Sequence, residues 1–369
     1  MFPWRTRPAC CLYREAASSP GGLAVTEALC EGKVMDKDLA SEAFLRESSS
    51  LSTSASLSLP SGSTMFSDPS TETDPTCFPE DLPTVKAALE AAAAERHLEA
   101  ERLFRSIDNR GLDPELQRRL AWKCDFIRDV MALDASKAEQ HWHTSSERRR
   151  FGCQKYWLRR TPENEMHSMV STSLDAPVQQ VIALLNEVDL ATMWAPYSSS
   201  SELIQDLAGD AWGSGDFAQK LFRVNYLLPR PFSLGAEILT YAFGSVAMDE
   251  HGVVIGGAKG IVDAEEWWGH KLPPATEMRL DVSACAFILR PEGPNKTTFT
   301  LVTKMKLPPL PRFLDGLVEW ITKKALSQIV DRWSELCGRF ASTSFAARVR
   351  DNPRFYRYIE DVLDDCTTL

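Results

Sequence analysis

The chain has 369 residues, of which 44% are hydrophobic and 25% charged, and a formal net charge of −10. That balance is ordinary for a globular protein and excludes general nucleic-acid binding, which needs a basic surface. Nine scattered cysteines form no CxxC pair and no framework spacing, so neither a zinc site nor a disulfide scaffold is expected, and the odd count suits a reducing compartment.

No uninterrupted apolar run approaches a membrane span. The first residues carry Arg5, Arg7 and Arg14 ahead of Glu15, a weak transit-like signal, and Cys10–Cys11 could be acylated. An unstructured tail is the simpler reading. Ser48–Thr76 is Ser/Thr-rich with little apolar mass, so residues 1–80 are expected to be disordered.

Residues 81–150 read as a helical extension. Pro83-Thr84 opens one alanine-rich helix that ends at Asn109-Arg110-Gly111, and Asp113-Pro114 starts a second. A third, polar helix is expected over Ser136–Arg148. This hairpin either packs on the domain that follows or offers a surface to a protein partner. His141 and His143 stand two apart, which on a helix separates their faces, so no metal is expected.

Beyond Arg150 the chain turns to strands: Gly152–Arg159, then Glu165–Leu174. Asp175 opens a helix over Ala176–Val188. Further strands follow near Ser201–Leu207, Asp216–Leu227, Ala236–Met248, Val253–Val262, Glu277–Arg290 and Thr297–Met305, with a tight hairpin expected at Asp249–Gly252. After Pro308, Pro309 and Pro311, apolar residues from Leu314 to Phe340 recur at helical steps, a rod of about 45 Å. Residues 346–369 read as a tail. The layout is α+β, an antiparallel sheet closed by one long late helix.

The order of elements and several strings resemble the START (steroidogenic acute regulatory protein-related lipid transfer) domain of the helix-grip, Bet v 1-like superfamily. The strings are LDAPVQQVIALLNEVDLATMWAPYSSSSELIQDL, LFRVNYLLPRPFSLGAEILTYAF and FTLVTKMKLPPLPRFLDGLVEWITKKALSQIV, and they place the domain at 151–345. One departure is visible: Leu234-Gly235-Ala236 precede Glu237 where START sequences often place an arginine. The resemblance implies a curved sheet wrapped around the C-terminal helix, enclosing a tunnel for one lipid or other hydrophobic small molecule. On that reading the cavity residues are Trp194, Arg223, Asn225, Ile238, Thr240, Ala242, Leu317, Ile321 and Ile329. Arg223 and Asn225 are also the pattern of outward polar positions, since alternation alone does not say which face is inner.

Trp267 and Trp268, beside His270 and Lys271, are expected to contact a membrane surface or to tuck into the core. There is no G-x-S-x-G elbow, P-loop, HExxH or dinucleotide fingerprint, so no catalytic residue and no cofactor is assigned. The reading is a lipid-binding protein, cytoplasmic and peripheral at membranes, that transfers or senses its ligand. Two alternatives stay open: a helix-grip enzyme of cyclase or hydrolase type, and a non-transferring scaffold acting through its N-terminal helices.

Overall fold

The computed structural model describes residues 82–108, 113–139, 141–150, 152–207, 219–227, 235–307 and 315–367, all within the unit Thr73–Leu369. The N-terminal tail, the turn at 109–111, the prolines before Gly235, Pro308–Pro311 and Leu314 lie outside the described residues.

Three helices come first: α1 (Leu82–Ala93), α2 (His97–Ser106) and α3 (Pro114–Ala135). Asp113 caps α3 by accepting from the Glu115 and Leu116 amides at 3.0 Å each, and Pro114 supplies the fixed φ of the first turn. The single alanine-rich helix expected from the sequence is instead two, broken at Glu95, whose φ of 57° is left-handed. Tertiary contacts impose the break over alanine's helical preference. The Glu95 carbonyl accepts from the Val246 amide at 3.0 Å and from Ser245 Oγ at 3.2 Å.

The Glu95 side chain is buried in a charged cluster. His97 Nε2 lies 2.8 Å from Glu95 Oε2 and 3.0 Å from Lys123 Nζ, and its Nδ1 lies 3.1 Å from Ser245 Oγ. Burial and the adjacent Lys123 charge pull the His97 pKa below its ordinary value, outweighing Glu95. The cluster fastens α1–α3 to the sheet.

The expected third helix is absent. Ser136–Ala138 makes one 3₁₀ turn, and His143–Arg149 is strand β1, an edge strand exposed along nearly its whole length. Its residues have no apolar stripe to bury, so pairing with β2 (Gly152–Arg160) satisfies the backbone instead. Gly152, at φ 123°, makes the turn between them.

The sheet then adds β3 (Glu165–Leu174), β4 (Ser198–Asp206), β5 (Lys220–Leu227), β6 (Gly235–Ala247), β7 (Val253–Gly260), β10 (Met278–Arg279), β11 (Val282–Gly293) and β12 (Lys296–Lys306). A separate short hairpin pairs β8 (Glu266–Trp267) with β9 (His270–Lys271). Strand order is β1-β2-β3-β12-β11-β7-β6-β5-β4, every neighbour antiparallel, with β10 added in parallel to the start of β6. Between β6 and β7 the expected tight turn is one helical turn, α5 (Met248–His251), closed by Gly252 at φ 63°.

Alternation divides the sheet into two faces. Leu221, Leu239, Tyr241, Phe243, Ile255, Ala286 and Val302 face outward and pack under α3 through Phe126, Ile127 and Val130. Gly257 marks how close that contact is, since a Cβ there would sit 2.7 Å from the Phe243 ring and 2.9 Å from Phe126. The inner face carries Tyr156, Val170, Phe287, Leu289, Phe299 and Leu301, packed against α4 (Val178–Asn186) and α6 (Asp315–Gly338). Over its 24 described residues α6 rises about 36 Å.

The segment expected as a tail is helical. α7 (Ser344–Asp351) and α8 (Pro353–Thr367) bury Phe345, Phe355, Tyr356, Ile359 and Leu363 in the same inner core. The Tyr358 hydroxyl donates to the Ala94 carbonyl at 2.8 Å, tying the end of the chain to the break between α1 and α2. This is an α+β helix-grip, START-like fold: a large antiparallel sheet whose inner face holds the long C-terminal helix.

Candidate functional site

The small residues of β6 decide where the interior stays open. Ile238, Thr240, Ala242 and Gly244 share the inner face, and Gly256, Ala258 and Gly260 continue it on β7. Short side chains across two adjacent strands leave volume beneath α6. The result is a cavity of about 390 Å³ between the inner face and α4, α6 and α8, within the range of small-molecule sites.

Several expected residues meet there. Trp194, Ile238, Thr240, Ala242, Ile321 and Ile329 all line the cavity. Trp194 is held as wall by its Nε1, which donates to the Leu184 carbonyl at 2.9 Å, and by an edge-on contact with Trp333 at 5.4 Å. Arg332 Nη1 donates to the Ala195 carbonyl at 3.1 Å, fastening α6 to the same loop.

Three expected cavity residues do not line it. Arg223 and Asn225 alternate with Phe222, Val224 and Tyr226, and it is the latter three that face inward. Arg223 pairs instead with Glu202 on the neighbouring strand at 2.7 Å, and Asn225 donates to Ser200 Oγ at 2.9 Å. Leu317 is half-buried one turn before Ile321 and is not in the wall. Glu237 points outward too; Arg279 supplies its partner at 2.8 Å.

Trp267 and Trp268 are also placed differently from a membrane anchor. They pack on the outer side against Trp122 of α3, with ring centroids 6.0 and 6.3 Å away, and Arg119 sits 5.4 Å over Trp268. Both indole nitrogens are enclosed, whereas an interfacial tryptophan keeps that end wet. The pair forms a seam between α3 and the β8–β9 hairpin.

Among the described residues the exposed aromatic is Trp320, 57% accessible, next to the wall residue Ile321. Strand register places two more exposed apolar residues at the same end of the sheet. Leu227 pairs with Gly235, and Met278 pairs with Ala236. Arg160, opposite Met166 at the start of β3, contacts Asp315 at the start of α6.

The polar residues of the wall are Ser168 with Thr303, Oγ to Oγ1 2.5 Å, then Thr240, Ser245, Thr322, Tyr197, Tyr226, Cys285, Asn186 and Lys220. Among the described residues no carboxylate, histidine or arginine lines the cavity. Burial pushes the Cys285 thiol up to about 12 and raises the Tyr226 phenol above its ordinary value. Both stay neutral near pH 7, so neither is an activated nucleophile. Among the described residues no helix is long and apolar enough to cross a membrane.

Sequence reasoning missed Tyr226, Cys285, Lys220 and the C-terminal residues Phe355 and Ile359, all of which line the cavity. Lys220 shares the odd-even phase of Phe222, Val224 and Tyr226, the one signal in the sequence that puts it inward.

The sequence matches no protein-family model and no curated protein. Solved structures are similar at low identity. Human STARD10 is 12% identical with a TM-score of 0.45, covering 64% of this chain and 87% of that one. Human StAR-related lipid transfer protein 5 is 13% identical with a TM-score of 0.47, covering 61% of this chain and 100% of that one. Zhui aromatase/cyclase from Streptomyces sp. R1128 is 9% identical with a TM-score of 0.32, covering 49% and 98%. Likeness at these values speaks to fold alone, and the fold assignment rests on the strand order and helix placement above.

Proposed function

We propose that the protein binds one lipid or other hydrophobic small molecule in the cavity under α6 and exchanges it at membranes. The carrying observation is the wall itself: a cavity of about 390 Å³ lined mainly by apolar and small side chains. A void of that size with an apolar lining gains little from water and much from an apolar ligand. The few polar groups are positioned to orient such a ligand, as in small-molecule sites generally.

Exchange at the Asp315 end of α6 follows from where the apolar surface is exposed. Trp320, Leu227 and Met278 are 57%, 60% and 48% accessible and sit at the cavity end that the strand register defines. Lys324 is exposed beside Trp320, its Nζ 4.8 Å over that ring, and is suited to an anionic surface, whereas Lys323 is paired with Glu147. The membrane contact expected of Trp267 and Trp268 therefore moves to this end.

The test is equilibrium binding of a fluorescent acyl probe, titrated into the full chain after lipid extraction. Saturation at one probe per chain, lost when Ala242→Phe fills the cavity, supports the reading. Unsaturable binding, or binding indifferent to Ala242→Phe in a folded variant, sinks it. For exchange, sedimentation with liposomes should fall in Trp320→Ser and hold in Trp268→Ser; the reverse order would remove the proposed docking end.

A further inference from the structure

One row of the sheet crosses the cavity at a single level. Strand register aligns Ser168, Thr303, Cys285, Ala258, Ala242 and Lys220, and every one of them lines the wall. Two alanines beside Lys220 leave open space next to its side chain. Among the described residues Lys220 is the cation of this wall.

Two of its three ammonium donors are satisfied. Nζ donates to the Asn186 carbonyl at 2.6 Å and to Asn186 Oδ1 at 3.0 Å. An ammonium has three donors, so one N–H is left over. Among the described residues no carboxylate lies within 4.0 Å of it. Burial lowers the Lys220 pKa, opposed by the more distant Glu187, Asp206 and Asp189. A part-buried cation whose direct partners are neutral oxygens bears a desolvation cost that these carboxylates offset only in part, and an incoming anion relieves more of it. A neutral ligand relieves none of it.

We propose that Lys220, together with Asn186, forms an anion-binding subsite in this cavity, and that the preferred ligand is an amphiphile with one acidic head, a carboxylate or a phosphate monoester. This rests on the cavity reading above and names its ligand class. The head meets Lys220, and the chain runs along Phe222, Val224 and Tyr226 towards α6. From Lys220 to Tyr226 the strand advances about 20 Å, the scale of an extended long-chain acyl group. The wall along that path is mainly apolar, with Thr240, Tyr226, Tyr197 and Thr322 supplying its hydroxyls. A surface lysine that merely caps the end of α4 needs neither the enclosed position nor the open space beside it.

The discriminating experiment compares cis-parinaric acid with its methyl ester on the delipidated full chain at pH 7.5. The acid should bind at least tenfold more tightly than the ester. Lys220→Met should bring that ratio to about one, and Lys220→Arg should keep it well above one. Displacement by oleate, by oleoyl lysophosphatidate and by monoolein separates the sources: displacement by oleate assigns the carboxylate, by lysophosphatidate the phosphate. Equal binding of acid and ester by the wild type overturns the subsite without any variant having to fold, and leaves the cavity reading standing because the ester binds. Monoolein displacing as well as either acid also overturns it. Binding of neither probe overturns both the subsite and the cavity reading.

Discussion

Trp333 of α6 and Phe287 of β11 lie face to face, ring centroids 5.5 Å apart and planes 4° from parallel. Phe299 packs on the same indole at 4.6 Å, and Trp333 is fully buried. This contact anchors the C-terminal half of α6 to the inner face of the sheet. The stretch before it, from Ile321 to Ile329, instead lies over the cavity. One helix thus has a packed C-terminal end and a preceding stretch over open volume, which is the arrangement a closing element needs.

Removing the anchor should be costly. Trp333→Ala is expected to destabilise by about 3–5 kcal/mol, the usual range for emptying a large aromatic site. Trp333→Phe should cost clearly less, because the indole N–H has no hydrogen-bond partner to lose. Urea unfolding of both variants checks this; equal losses would mean the ring contact is not what holds α6.

Glu237 and Arg279 give a second stability test. The carboxylate is fully buried, accepts from Arg279 Nε at 2.8 Å and also accepts from the Thr276 amide and hydroxyl at 2.9 and 2.7 Å. Arg279→Met leaves that charge without its cation, at an expected cost of about 3–5 kcal/mol. Glu237→Gln combined with Arg279→Met should recover much of the loss. A double variant no more stable than Arg279→Met would contradict the pair's role.

The helices on the outer face should respond to acid. His97 binds its proton less readily when folded, because burial and Lys123 lower its pKa below the ordinary 6.5. The unfolded chain therefore takes up more protons below about pH 6.5, and stability falls as pH drops through that window. The urea midpoint should decrease between pH 7.5 and 5.5, and less so in His97→Gln. Carboxylates with lowered pKa values, Glu95 among them, act below 4.5 and stay outside the window. An identical decrease in the variant would remove His97 as the source.

Filling the cavity separates stability from binding. Ala258→Leu adds apolar volume beside Ala242 on the inner face. Its stability should stay within about 1–3 kcal/mol of wild type, the range for overpacking, while acyl-probe affinity drops at least tenfold. Unchanged affinity in a folded Ala258→Leu protein would place the ligand elsewhere.

Much of this architecture was legible in the chain. Strands β2, β3, β7 and β12, the Asp113–Pro114 start of α3 and the small face of β6 all follow from alternation and capping. What local pattern does not encode is which face of a strand is covered. β5 offers Arg223 and Asn225 on one side and Phe222, Val224 and Tyr226 on the other, and only the long-range pairing with β6 makes the second side inner. The break at Glu95 is equally nonlocal, because it exists to meet Ser245 and Val246 some 150 residues away. The C-terminal helices carry a local signal of their own: Asn352-Pro353 starts a helix, with Asn352 Oδ1 accepting from the Phe355 amide, and Phe355, Ile359 and Leu363 recur at four-residue steps.

The most direct test of the central claim is native mass spectrometry of the full chain purified from cells without added detergent or lipid. The account predicts a population carrying one adduct of lipid mass per chain, released on denaturation, and lost in Ala242→Phe. A spectrum showing only the bare polypeptide mass, from protein that also fails to take up an acyl probe, would contradict it.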